Sequence, residues 1–327
     1  MDYPETDGYM SMMAKSPESR PMCVGILPIP GFAIMSFASL SEPMRAANLL
    51  AGRTLYDVRV IGEGPVASSG AASVTPHCAM NEAPALDQLF VVAGGDPMQF
   101  EDAGVLRWLG RLARAGTLLG GVSGGPVILA RAGLMAGRRM TLHWEHAAAL
   151  AEIAPDLAIE RTLYVIERDR VTCAGGTAPL DLMHALIARD HGAVFARAVS
   201  DWFMHTEVRP PIGPQRAGLV ERVGSHAPAL LDAIAAMESH VADPLDLRQL
   251  SVLAGVSPRQ LGRLFRDELG VSAMSYYRRL RLERAQSLLR NSALSLTEIA
   301  LATGFANSSH FSRAYSAQFG APPSAYR

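Results

Sequence analysis

The last third of the chain repeats itself. Leu247, Leu250 and Gly255 recur 49 positions later as Leu296, Ile299 and Gly304. One residue is then inserted, and Leu261, Arg263, Phe265, Leu269 and Gly270 recur 50 positions later as Phe311, Arg313, Tyr315, Phe319 and Gly320. Each copy reads as a short helix, a turn built on glycine and an amphipathic second helix, the unit that places a helix in a DNA major groove. No strand pattern interrupts the region from about Ala227 onward. The repeat therefore restricts this part of the chain to an all-α fold with two helix-turn-helix units, and double-stranded DNA becomes the expected partner.

In the first copy, Leu247–Ala254 predicts the supporting helix and Pro258–Leu269 the reading helix, with Ser257 as N-cap and Pro258 at the first helical position. Leu261, Leu264, Phe265 and Leu269 share one face at a period of 3.6. Arg259, Gln260, Arg263 and Arg266 are left facing outward, and Arg and Gln pair bidentately with guanine and adenine edges. In the second copy Phe305, Phe311, Tyr315 and Phe319 form the candidate core. Asn307, Ser308, Ser309, His310, Ser312 and Arg313 remain near the start of the reading helix. A polar helix face is ordinarily a solvated one, but two copies with matched turns favour contact with DNA. The spacer helix expected over Met274–Asn291 would span about 27 Å, against roughly 34 Å between successive major grooves on one DNA face. One monomer could thus read a bipartite site. The formal net charge is only −1, yet from Ser257 onward ten arginines face four acids, a local +6 that can neutralise phosphates.

A chain of 327 residues implies two domains. Its 49% hydrophobic and 19% charged residues fit a soluble globular protein, and no apolar run nears the ~20 residues that span a bilayer. No signal-peptide h-region is visible, so a cytoplasmic location is expected, with residues 1–20 as a disordered arm. Cys23, Cys78 and Cys173 fit reduced thiols better than a disulfide or zinc framework. Residues 22–208 alternate strand-like runs (CVGILPI, YDVRVIGE, LDQLFVVAGG, TLLGGVS, DRVTCAGG) with helical ones, which predicts a doubly wound α/β fold on a mostly parallel, flavodoxin-like sheet. Three prolines among residues 209–215 interrupt any helix there. The expected organisation is an α/β domain over 21–209, a linker over 210–226 and the helical domain over 227–327.

Within the α/β half, Gly121-Val122-Ser123-Gly124-Gly125 fits G-x-S-x-G. Such a strand-turn-helix strains its central residue and aims it at the carboxyl edge of the sheet, beside helix N–H groups suited to an oxygen anion. His143, twenty residues on, could serve as a base, but no acid follows with an obvious orienting role. A serine hydroxyl needs a well-aligned base. Three roles for Ser123 stay open: a pocket residue without chemistry, which is preferred, a small residue filling a crowded turn, or a working nucleophile. His143 and His146 stand at i and i+3 with no third ligand at a characteristic spacing, so neither a metal nor another cofactor is expected. Trp144 is either a cation–π partner for a ligand or a packing residue. Trp108 and Trp202 read as packing residues, Cys173 as a buried strand thiol, Asp96 as the stabiliser of a strand-end loop and Asp181 as a helix-terminal carboxylate.

From about Leu230 to Arg327 the chain resembles the AraC/XylS-type DNA-binding domain, on RRLRLERAQSLL, the IALATGF and SSHFSRAYSAQFG stretches and the closing PPSAYR. The resemblance implies a bacterial transcription regulator whose first reading helix usually does more of the base recognition. Typical members carry a basic second reader. Here only Arg313 is basic, which leaves phosphate or RNA polymerase contact as alternative roles for that helix.

Residues 22–205 resemble the PfpI/ThiJ class of glutamine-amidotransferase-like domains, through the Ser123 elbow, His143, AGLMAGRRMTLHWEH and AGGTAPLDL. In that class the elbow residue is Cys and an early Glu sits against it. The resemblance assigns the acidic position to Glu42, and the chain departs from the class at Ser123. The pairing of domains resembles the amidotransferase-like branch of AraC regulators, which includes activators of arginine, glycine betaine and carnitine catabolism. It implies an activator in which Glu42, Ser123, His143 and Trp144 hold a small amine or amino acid without turning it over. A homodimer is expected because such sheets commonly pair and paired sites raise DNA avidity. The competing readings are a Ser-His hydrolase or amidase fused to a DNA-binding module, and a constitutive dimerisation module with no ligand.

Overall fold

The computed structural model describes residues 20–292 and 294–326. Residues 1–19 of the expected arm lie outside that range, whereas Arg20 is tied down: its guanidinium grips both carboxylate oxygens of Asp87. The described residues divide after Gln215 into two compact units.

The first unit is built on six strands: β1 (Met22–Pro28), β2 (Tyr56–Val60), β3 (Gln88–Ala93), β4 (Leu118–Ser123), β5 (Tyr164–Glu167) and β6 (Arg170–Cys173), in the order β2-β1-β3-β4-β6-β5. All neighbours run parallel except β5, which pairs antiparallel with β6. The doubly wound, flavodoxin-like fold is as expected from the alternation of strand and helix patterns. The edge strand β5 is an addition; at four residues its YVIE run is too short to announce itself. β3 is buried at every position, as parallel strands covered on both faces must be. On one face Val24, Ile26, Phe90, Val92, Val122 and Val171 pack under α1 (Ile34–Ala51), α5 (Ala178–His191) and α6 (Ala193–Trp202). Leu89, Val91 and Leu119 alternate with these and are equally buried, and α2 (Ala103–Arg114) and α3 (Gly125–Arg131) lie against β3 and β4. A further helix, α4 (Trp144–Ile153), begins just after His143.

The stretch expected as a linker, 210–226, is largely structured. Pro211 accepts from the Leu163 amide at 2.8 Å. The Gln215 side-chain amide donates to Thr141 Oγ1, Leu142 O and Thr162 O within the first unit. In the second unit Leu219–Val223 forms a short helix, α7, and Arg222 bonds Glu238. The prolines break regular helix, but backbone and amide groups of the same segment still find partners on the surface they cross.

The second unit continues with α8 (Pro228–Ser239), α9 (Leu247–Leu253), α10 (Pro258–Leu269), α11 (Ala273–Asn291), α12 (Leu296–Ala302), α13 (Ser308–Phe319) and a closing 3-10 turn. Leu230, Ile234, Met237, Leu250, Leu261, Phe265 and Tyr277 make the core of its first helix-turn-helix. Phe305, Phe311 and Tyr315 are buried in the second. The repeat is structural as well as textual: the two turns hold Gly255 and Gly304 at φ 66° and 70°, a left-handed conformation that glycine adopts without steric penalty.

Candidate sensing site and nucleic-acid interface

Ser123 ends β4 with φ 60°, one of three described non-glycine residues at positive φ, and is 5% exposed. Holding an L-residue there costs about 1 kcal/mol, so the elbow is strained as its strand-turn-helix pattern implies. Three loops at the carboxyl edge converge on it. Gly124, next in the chain, donates to Ala93 O at the end of β3, so that amide is not free for an anion. Gly175, after β6, lies so close that a Cβ there would sit 2.6 Å from Ser123 Cβ, and its φ of 90° also demands glycine. Ser36, in the first turn of α1, accepts from the Gly176 amide at 2.8 Å and is fully buried.

The structure therefore corrects the early acidic position. Ser36 is the α1 side chain that reaches the elbow cluster. Glu42 lies six residues further on, about 9 Å along the axis and on a different face of the helix. It is exposed and paired with Arg45 at 2.7 Å. The α1 register was readable, but which turn of it meets the elbow depends on where the helix starts relative to β1.

His143 does come to the elbow, through its backbone: its N–H donates to Ser123 O at 3.1 Å. The imidazole itself caps α4, Nδ1 accepting from the Glu145 amide at 3.4 Å. Among the described residues no hydrogen bond joins the Ser123 hydroxyl to the His143 ring, so the pair does not form an assembled nucleophile and base. Burial holds the His143 pKa below its usual value against the pull of Glu145, and pushes that of His146 down to about 4, with His143 adding to the effect. Burial therefore favours the neutral form of both rings. Trp144 is 44% exposed, with its ring centre 5.3 Å from that of His143. Ser123, His143 and Trp144 thus lie in one neighbourhood with Ser36, and Glu42 drops out.

Asp181 proves to be more than a helix-terminal carboxylate. It is fully buried and accepts from His205 Nε2, from the Arg209 amide and from the Arg209 guanidinium. Arg209 also reaches Thr177 Oγ1, on the loop that follows Gly175 and Gly176. These two basic residues carried no signal in the sequence, because a buried carboxylate's partners are chosen by tertiary proximity. Asp96 caps the 3-10 turn after β3, Cys173 and Trp108 are buried, and Trp202, read as a packing residue, is 47% exposed.

In the helical unit, α10 starts with a reciprocal capping box. Ser257 Oγ accepts from the Gln260 amide, and Gln260 Oε1 accepts from both the Ser257 amide (2.9 Å) and its hydroxyl (2.8 Å). Without DNA the Gln260 carbonyl oxygen is committed to this cap, and the bidentate adenine contact expected of it, which needs that oxygen as well as the amide group, would have to break the cap. Arg259, Arg263 and Arg266 are exposed, and among the described residues none of them is ion-paired. Arg266 Nε bonds Gly262 O one turn back, which steadies the side chain along the helix. On α13 Asn307 is engaged in the same way: its side chain caps the helix, accepting from the His310 amide at 2.8 Å. His310 lies edge-on to Phe305, Ser308 is half-buried, and Ser309 and Arg313 face outward. Capping residues and base readers draw on one residue set (Ser, Asn, Gln) at the same helix end, so composition could not separate them.

Arg281 has a structural role that no motif announced. Its Nε donates to Thr303 O at 2.7 Å and its guanidinium lies 4.3 Å from the Phe305 ring centre. It pins α11 to the turn of the second helix-turn-helix. The only sign of it in the sequence is a charge on the apolar Tyr277–Leu288 face of the spacer.

A helix-turn-helix domain family matches residues 250–327, and the DJ-1/PfpI family matches residues 33–189. The HTH-type transcriptional regulator GlxA of Rhizobium meliloti is 46% identical over 319 residues, covering 96% of this chain and 98% of its own. The HTH-type transcriptional regulator CdhR of Pseudomonas aeruginosa is 42% identical over 298 residues, 90% of this chain and 88% of its own. A solved THiJ/PfpI family protein from Pseudomonas syringae aligns over 78% of this chain and 97% of its own with a TM-score of 0.53 at 24% identity, a likeness of fold.

Proposed function

The chain belongs to the AraC-type transcriptional regulators that carry a DJ-1/PfpI domain, and on that premise we propose that α10 reads DNA while the α/β unit senses a small amine or amino acid. The observation that carries the DNA assignment is the exposed row Arg259, Arg263 and Arg266 on a helix whose start is locked by its own capping box. Rigid presentation matters because base contacts require side chains held in register with the groove. In the second unit Ser309 and Arg313 contact the backbone or RNA polymerase, since too few groups remain free for base readout.

The effector occupies the carboxyl edge near Ser123, His143 and Trp144, with Trp144 facing its cationic group. Regulation follows if the effector binds the active and inactive arrangements with different affinity. The protein acts as a homodimeric activator, and Ser123 serves as a pocket wall. The alternative, a hydrolase, would need the Ser123 hydroxyl and His143 imidazole aligned, and among the described residues no hydrogen bond joins them.

The test is a thermal-shift screen of the full chain against quaternary amines and amino acids, followed by DNA binding with each hit. A native-state ligand must raise Tm. A hit that raises Tm and changes DNA affinity supports the reading, provided Trp144→Ala weakens it. Absence of any hit across both classes, or hits indifferent to Trp144, overturns the sensing assignment.

A further inference from the structure

The first turn of α4 places three metal-ligating side chains together. One ligand atom from each of His143, Glu145 and His146 lies within 4.8 Å of the others, and His143 Nδ1 stands 3.9 Å from Glu145 Oε2. We propose that these three residues bind a divalent ion of the Zn2+, Ni2+ or Cu2+ class.

A second observation points the same way. His146 is 3% exposed, and its buried Nδ1 has no hydrogen-bond partner. An unmet polar atom in the interior is costly, and an ion coordinated by that nitrogen would remove the cost. The His143 lone pair is engaged only in a 3.4 Å capping contact, weak enough to be exchanged for a metal bond. Two imidazoles and a carboxylate with further positions open form a donor set that suits late first-row ions, whereas Mg2+ and Ca2+ take oxygen ligands.

Ligands about 2.0–2.1 Å from a tetrahedral ion stand roughly 3.4 Å apart, so the cluster must tighten. His143 and Glu145, with side chains 29% and 43% exposed, would rotate to bring this about. The positive end of the α4 dipole opposes a cation there, which makes the Glu145 charge necessary rather than incidental. Spacing along the chain does not mark the site, because the third ligand lies between the two histidines instead of at a distance. The site shares His143 with the proposed effector edge, but uptake of the metal alone tests it whatever the effector is.

The experiment titrates ZnCl2 into the untagged, chelator-stripped full chain by calorimetry, and follows Ni2+ by quenching of tryptophan fluorescence. Wild type should take up one equivalent of Zn2+. His143→Gln, Glu145→Gln and His146→Gln should each weaken it at least tenfold, and Ni2+ quenching should disappear with them. Trp144→Phe should keep the Zn2+ equivalent and lose most of the quenching, since that ring neighbours the site. Because His146 is buried and its variant could fail to fold, His143→Gln and Glu145→Gln, checked by circular dichroism, are the deciding variants. Absence of a saturable equivalent, or affinity within threefold of wild type in either of those two variants, overturns the site.

Discussion

His143 donates its backbone N–H to the carbonyl oxygen of Ser123 across 3.1 Å, while its imidazole accepts from the Glu145 amide at the start of the next helix. The two residues that sequence spacing joins as a nucleophile and base are therefore neighbours through the main chain. Their side chains have separate tasks, and the proximity shapes an edge of the sheet without assembling a proton relay.

Ser123→Ala should consequently retain effector-dependent transcription within about twofold, the allowance for a lost hydroxyl contact of about 0.5 kcal/mol, the low end of the usual range. A fluorophosphonate probe should leave Ser123 of the wild-type chain unlabelled. Stoichiometric labelling, or loss of response in Ser123→Ala with the fold intact by circular dichroism, would restore the hydrolase reading.

Gln260 and Arg263 sit one turn apart on α10 and should respond oppositely to truncation. Gln260→Ala removes half of a capping box and should lower the stability of the helical unit by about 1 kcal/mol, with base preference unchanged. Arg263→Ala should leave stability nearly unaltered while weakening specific DNA binding by about 1–3 kcal/mol and relaxing preference at one base pair. Denaturant titration and binding to an operator mutant series separate the two. A specificity change in Gln260→Ala would contradict the capping assignment.

Asp181→Asn should destabilise the α/β unit by about 2 kcal/mol, because it weakens the charge-assisted bonds that the partly exposed Arg209 makes to the buried carboxylate. Urea unfolding of residues 20–215 measures this. A loss under about 1 kcal/mol would mean that the 205–209 segment holds its place by other contacts.

His191 packs edge-on to both Tyr56 and Phe195, and burial lowers its pKa from 6.5. A histidine whose folded pKa is depressed takes up a proton on unfolding. Its contribution is intact above pH 6.5 and is lost as pH falls through that value toward the folded pKa. Tm measured from about pH 7.5 to 5 should therefore drop less steeply in His191→Gln than in wild type. Parallel curves would show that this ring does not report burial.

The tandem repeat, the alternation of strands and helices and the glycine-bounded elbow were all legible in the chain. Each is a local pattern: apolar period, turn chemistry and caps are written within a dozen residues of where they act. Ser257 as N-cap and the face formed by Leu261 and Phe265 appear in the structure where periodicity puts them. The fold class and the two reading units follow from such patterns alone.

What each polar side chain does at those places was decided by tertiary structure. Gln260 and Asn307 have the chemistry of base readers, yet their oxygens satisfy helix amides that would otherwise be unpaired. Ser36 rather than Glu42 meets the elbow because the loop after β1 sets which turn of α1 faces Gly176. Asp181 gathers His205 and Arg209, and Arg281 clamps the second turn, across separations of 24, 28 and 22 residues. Local patterning specifies where backbone goes. A polar group takes whichever partner the folded chain brings within about 3 Å, and that choice exists only once distant segments have met.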